Sequence, residues 1–290
     1  MRRRYGAGPR RLFPIPADDV DPSEAVLGRL GLQHWAVLGV LAEHGELTVD
    51  QITRLLFGSR STAVRHLGVL VEAGLVRRYE SVRGRSHLAH YHAGAAGLRA
   101  LRRRLRQEGR PVPPKLGSET FGRPVVTEFF ARLAAAPDGH LYRWRRHVDT
   151  ALWLASHDIH GVRPQAYSIW IEHDVAVRFV LHIDDDSVTP LTHRAPPPPT
   201  RELAGYRTAP RGVPVAAILM ITPTGLRERE LHQGLATAPL PVTVASTTLR
   251  RCSRAASPAD AIWNVAGAER GTLVRLAEIP HADQSNAATP

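Results

Sequence analysis

The sequence has a single cysteine, Cys252. No internal disulfide can form, and no zinc site can be built on cysteine thiolates. A lone thiol of this kind is expected at or just below the surface. There is also a single lysine, Lys115, among the 38 basic residues, and it sits beside prolines. A phosphate-cradling Gly-x-x-x-x-Gly-Lys loop is therefore excluded, and with it that class of nucleotide hydrolase. Long apolar runs are missing as well. The longest, residues 213–221, is far below the roughly 20 residues that a membrane-spanning helix needs. Met1-Arg2-Arg3-Arg4 is followed by glycine, proline and more arginine instead of the apolar stretch of a signal peptide. The sequence thus reads as cytoplasmic, without a membrane partner. No serine stands in a nucleophile-elbow context.

What is present is positive charge, unevenly placed. The net charge is +11, and residues 1–115 hold 20 Arg and Lys against 10 Asp and Glu, a net of +10. Residues 116–290 hold 18 against 17, a net of +1. Such asymmetry assigns a polyanionic partner to the N-terminal part. At 290 residues the chain can bury two modest cores.

Residues 1–28 lack periodicity and read as a disordered basic arm. From Leu32 the spacing becomes helical: Trp35, Leu38, Leu41 and Ala42 share a face, and Gly45 ends the run. Thr48 and Gln51 form a capping box for a short helix carrying Ile52, Leu55 and Leu56. Gly58 breaks it. Ser59 or Ser61 then caps a third helix, with Val64, Leu67, Leu70 and Val71 assigned to its inner face and Gly74 closing it. Strand-like runs at 75–79 and 88–92 flank a basic loop, residues 81–86. A fourth helix, residues 95–107, ends in Arg102, Arg103, Arg104 and Arg106.

Three helices and a basic hairpin make a winged helix-turn-helix over 29–107, with Leu32, Trp35, Ile52, Leu55 and Leu67 in its core. Its partner would be double-stranded DNA. The third helix would enter the major groove, presenting Arg60, Ser61, Thr62, Arg65 and His66. Arginine can read guanine bidentately, worth about 1–3 kcal/mol of discrimination. Arg83 and Arg85 on the wing would lie on phosphate or in the minor groove, and Arg102 and Arg103 would add backbone contacts. The same helix face could instead serve a protein partner.

Residues 108–118 are a Pro-rich linker. Beyond it the reading is a helix at 121–136, strands at 141–146, 166–172 and 175–183, and an exposed proline tract at 195–199. A short helix at 200–208, a buried strand at 215–221, a proline-led helix at 223–235 and a strand at 242–248 follow. Strands separated by helices argue for an α/β sheet over 119–279, with a disordered tail at 280–290. The fold class is therefore α+β overall: an N-terminal winged helix-turn-helix followed by a smaller, mixed-sheet α/β domain. Trp144, Trp153 and Trp170 are assigned to its core. His157, His160, His173, His182 and His193 fit no local zinc spacing, and no cofactor is implied.

Several segments carry a family resemblance. Leu47-Thr48-Val49-Asp50-Gln51 through Leu56-Phe57, Arg65-His66-Leu67 and Glu72-Ala73-Gly74-Leu75 resemble the start of the replication-relaxation family. Arg163-Pro164-Gln165-Ala166 resembles its Arg-Pro-Asp motif, and Phe179-Val180-Leu181-His182-Ile183-Asp184 its Phe-x-Leu-Glu-x-Asp strand. Gly205-Tyr206 and residues 215–222 match its later helix and strand, so the similarity spans about residues 30–270. The family is mainly actinobacterial and is associated with plasmid replication and DNA relaxation. The resemblance implies a restriction-endonuclease-like second domain, in which an Asp and a Glu hold a divalent metal that activates water. Here Gln165 and His182 stand in their places. The implied domain is a nuclease scaffold without its carboxylates, serving as a dimerisation or partner surface. The protein would be a non-catalytic DNA-binding protein acting in plasmid or mobile-element replication, with replication proteins among its partners and homodimerisation open. Two alternatives stand beside it. One is a Mg²⁺-dependent nuclease or nickase using Glu172 and Asp184, with Gln165 and His182 nearby. The other is a transcription regulator with a C-terminal ligand-binding or dimerisation domain.

Overall fold

The computed structural model describes residues 23–81, 88–112, 124–184, 198–210, 215–269 and 271–280. The chain divides into two compact units, Met1–Ala131 and Arg132–Pro290, so the second is the larger rather than the smaller. The fold is α+β, a winged helix followed by a mixed-sheet unit.

The first unit begins with α1 (Glu24–Gly28), so the end of the expected disordered arm is helical; residues 1–22 lie outside the described residues. Next come α2 (Leu32–His44), β1 (Leu47–Thr48), α3 (Val49–Leu56) and α4 (Arg60–Glu72). The hairpin β2 (Val76–Ser81) and β3 (Leu88–Ala93) and the helix α5 (Ala95–Gln107) complete it. The sheet order is β1-β3-β2, all antiparallel. Thr48 does open a capping box: its hydroxyl accepts the Gln51 amide at 3.2 Å, and Gln51 Oε1 accepts the Thr48 amide at 2.9 Å. The end of α4 is a Schellman motif. Gly74, at φ +69°, donates to the Val71 carbonyl at 3.0 Å, and Leu75 donates to the Leu70 carbonyl at 2.9 Å. That left-handed residue swings the chain straight into β2. The core gathers Val37, Leu38, Leu41, Leu47, Ile52, Ala63, Leu67, Leu70 and Leu75, with Trp35 and Leu55 at its margin. Leu32 is not part of it: at the first turn of α2 it points outward and is 78% exposed.

The helix α6 (Pro124–Ala134) spans the point of division; the expected linker lies outside the described residues from Pro113 on. The second unit holds β4 (Gly139–Arg146), α7 (His147–Ala155), β5 (Ala166–Glu172) and β6 (Val175–Ile183). A 3-10 helix (Pro199–Thr208) leads to β7 (Ala217–Thr222), α8 (Gly225–Thr237) and β8 (Thr243–Thr248). The unit ends with α9 (Leu249–Arg254), β9 (Trp263–Val265) and β10 (Leu273–Val274). The strands form one sheet ordered β10-β9-β8-β7-β6-β5-β4. β6, β7 and β8 are parallel and the flanking pairs antiparallel. β5 and β6 turn back through His173 and Asp174, both at positive φ (48° and 66°), the conformation whose twist suits a two-residue hairpin. Every residue of β7 is buried, as a central parallel strand covered on both faces requires. Pro223 does not lead α8; the helix starts at Gly225, capped by the Thr224 hydroxyl. Trp170 is fully buried, Trp144 nearly so, and Trp153 half-buried against Tyr167. Cys252 is buried rather than superficial, and burial pushes its thiol up to about 11.

Candidate nucleic-acid interface

The apolar stripe of α4 is Ala63, Leu67 and Leu70, spaced at i, i+4 and i+7 and buried against α2, α3 and β2. This sets what the opposite face shows. Arg60, Ser61, Val64 and Arg65 are exposed over the first two turns, and Thr62 is half-buried beside them. Val64 is 48% exposed, so it belongs to the outer face and not to the inner one expected from its hydrophobicity. An apolar side chain there can meet a thymine methyl group in a major groove. Arg60 pairs through its guanidinium with Asp50 of α3, and its side chain stays 61% exposed. Ser61 shares a hydrogen bond of 2.8 Å with Ser59, so the Ser59 hydroxyl makes no cap bond to α4. The first-turn amides of a 13-residue helix are thus left for another acceptor, the arrangement that suits phosphate.

His66 behaves differently from its expected role. Its ring stacks on Phe57, with centroids 5.2 Å apart and 7° between planes, and its Nδ1 lies 3.0 Å from Nε2 of His34. Its own Nε2 is buried. No ring nitrogen is left facing outward, so His66 supports α4 from behind instead of reading bases. No local pattern signals this, because its partners come from α2 and from the turn before α4.

The arginines of α5 are also engaged. Arg103 pairs with Glu24 of α1, and Arg104 lies 4.6 Å over the Trp35 ring. Arg102 is half-buried and engaged as well. Arg103 thus links α5 to α1 and Arg104 links α5 to α2, while the Arg103 side chain stays half exposed. Arg83 and Arg85, at the wing tip, lie outside the described residues.

These features describe a three-helix winged fold with an exposed, basic third helix. A family model described as the MarR family matches residues 30–85. The match covers α2 to the start of the wing, and it identifies the N-terminal element as a winged-helix domain of the DNA-binding kind. No curated protein and no solved structure matches the chain.

Outside this winged-helix domain, the four residues considered for metal chemistry do not form one site. The backbone N–H of Gln165 donates to the Leu181 carbonyl at 2.7 Å, which places the residue near His182 and Asp184. Glu172 is at the other end of β5, opposite Val175, about 30 Å from Asp184 at about 3.3 Å per strand residue. Both carboxylates are already committed. Arg227 forks onto Asp184 at 2.8 and 3.1 Å, and Glu172 accepts from Trp170 at 2.9 Å and Arg275 at 2.8 Å. His182 is fully buried, its Nε2 2.9 Å from the Tyr206 hydroxyl, whose ionisation burial pushes far up. The proposed Glu172–Asp184 metal pair is therefore corrected: each anion is neutralised by its own arginine. Asp185 and Asp186 lie outside the described residues. Among the described residues no cluster of three or more His, Cys, Asp or Glu is placed to hold a metal ion, and no helix is long and apolar enough to cross a membrane.

Proposed function

We propose that the chain is a sequence-specific double-stranded DNA-binding protein of regulatory type, without catalysis of its own and without a cofactor. The single observation that carries this reading is the outer face of α4. A helix held by Ala63, Leu67 and Leu70 turns Arg60, Ser61, Val64 and Arg65 outward together at its N-terminal end. In helix-turn-helix docking that end meets base edges. The MarR-family match and the charge excess of residues 1–115 point the same way. Arg65 would pair with guanine, Val64 would contact a thymine methyl, and the wing with Arg83 and Arg85 would follow phosphate. As a homodimer the protein would present two α4 copies to half-sites about 34 Å apart, one helical turn. Transcription is the setting that the MarR-family match favours. The replication-relaxation resemblance adds maintenance of a plasmid or mobile element, with replication proteins as partners.

The experiment is selection of a binding sequence from random duplexes, followed by mobility shifts on that site and on an unrelated duplex. Arg65→Ala should weaken the selected site by about 5- to 150-fold, the equivalent of 1–3 kcal/mol, and the unrelated duplex far less. Arg103→Ala, which removes an arginine already paired with Glu24, should change neither by more than about twofold. Selection of no sequence, or equal losses on both duplexes, would refute reading by α4.

A further inference from the structure

His34 and His66 form a directional link between α2 and α4. His34 is the third residue of α2, and its Nδ1 accepts the amide of Gly31 at 3.1 Å. An accepting nitrogen carries no proton, so the neutral ring holds its proton on Nε2. That atom lies 3.0 Å from Nδ1 of His66 and donates to it. His66 then carries its own proton on Nε2, an atom buried without a partner. The two rings meet edge to face, 4.6 Å between centroids, and Phe57 closes the other side of His66. The chain of bonds runs one way: Gly31 amide to His34, His34 to His66.

Only the doubly neutral pair satisfies it. A proton added to Nδ1 of His34 would face the Gly31 amide, donor against donor. A proton added to Nδ1 of His66 would face the Nε2–H of His34. His34 could escape only by shifting its proton to Nδ1, again against Gly31. Either protonation therefore costs a bond, the helix cap or the bridge to α4. The surroundings add nothing to hold a charge. Burial first, then the other ring and Arg65 of α4, keep His34 below the ordinary histidine value; burial and Arg65 do the same for His66. From α3 the pair meets the uncharged Phe57 ring at its end, while Asp50 and Arg54 are engaged by Arg60 and Glu128. Among the described residues no carboxylate acts on either ring.

We propose that the His34–His66 bridge makes sequence reading by α4 sensitive to acidification: the neutral pair fixes α4 on α2, and protonation releases it. The proposal rests on α4 being the DNA-reading helix. Release loosens the register of Arg65 and Val64 on base edges, while added positive charge does not oppose phosphate contacts. Acid should thus erode discrimination and spare non-specific affinity.

The test uses the full chain and measures affinity for the selected site and for an unrelated duplex at pH 7.5 and at one unit below the lower histidine midpoint found by NMR titration, at one ionic strength. The ratio of the two should fall at least about tenfold at the lower pH, with the unrelated duplex bound no more weakly. In His34→Gln a glutamine at the same helix position can accept the Gly31 amide, as Gln51 does for Thr48, but cannot titrate. That variant should lose most of the pH dependence. If it does not fold, as judged by circular dichroism, His66→Gln removes the bridge from the α4 side with the same expected outcome. NMR titration of the histidine rings should place both midpoints below 6.5 in the wild type. A ratio that holds between those two pH values, or one that falls equally in the variants, overturns the switch and leaves DNA reading standing. Absence of any preference at pH 7.5 overturns the DNA reading, and the switch with it.

Discussion

Replacing Asp184 by Asn distinguishes a structural carboxylate from a metal-binding one. Asp184 closes β6 and is 3% exposed; Arg227, on the first turn of α8, is 6% exposed. The guanidinium meets both carboxylate oxygens, at 2.8 and 3.1 Å, in the fork geometry that an amide cannot reproduce. With charge centres about 4 Å apart and an effective dielectric of about 20, their attraction is about 4 kcal/mol, much of it offset by desolvation. Removing one partner leaves the other buried and uncompensated, which typically costs about 3–5 kcal/mol. Glu230 remains on Arg227 at 2.8 Å, so the lower end, about 3 kcal/mol, is expected. For a unit of this size that corresponds to a melting temperature lower by about 6–12 °C. Calorimetry and near-ultraviolet circular dichroism, reporting the buried Trp170 and Trp263, should show the drop in the second unit. The double variant Asp184→Leu/Arg227→Met should recover most of the loss, since an apolar pair leaves no charge stranded. Millimolar Mg²⁺ should leave the wild-type melting point unchanged. A drop under about 2 °C, or Mg²⁺ stabilisation that Asp184→Asn abolishes, would mean that the carboxylate serves an ion and not Arg227.

Two further outcomes follow from packing. A Cβ on Gly97 of α5 would lie 2.2 Å from the Leu75 carbonyl oxygen, a backbone atom that cannot give way, so Gly97→Ala should destabilise the winged helix by about 1–2 kcal/mol despite alanine's higher helix propensity. Gly39→Ala, in open space on α2, should stabilise it by up to about 1 kcal/mol; urea unfolding of both checks the contrast. The Cys252 thiol, raised to about 11, stays neutral until well above pH 8, where about one molecule in a thousand is thiolate. Iodoacetamide labelling at pH 8 should be at least about 100-fold slower in the native protein than in urea, and equal rates would show that the thiol is not enclosed.

Signals confined to a few residues were legible in advance. The Thr48–Gln51 box, the glycine closing α4, the strands on either side of His173-Asp174 and the bounds of α5 each depend on neighbours within about four positions. Charge counting needed no fold either, and it placed the excess in residues 1–115. Hydrophobicity misled where a small residue won the inner position. Ala63 fits under α2, and that rotates Val64 outward beside Arg65. Leu32 likewise follows the helical spacing but begins its helix beyond the edge of the core.

Everything that depends on partners distant in sequence was decided by tertiary structure. Thirty-two residues separate His34 from His66, 43 separate Asp184 from Arg227, and 79 separate Glu24 from Arg103. No periodicity encodes such pairs, because the sheet order and the helix crossings choose them. The sequence by itself determined that a basic winged helix precedes an α/β sheet. The fold decided which of its arginines still face outward, that His66 braces α4, and that Glu172 and Asp184 of the second unit are held by arginine. Local backbone preferences act within a turn of helix, whereas charges and side chains are neutralised or exposed only by what packs against them.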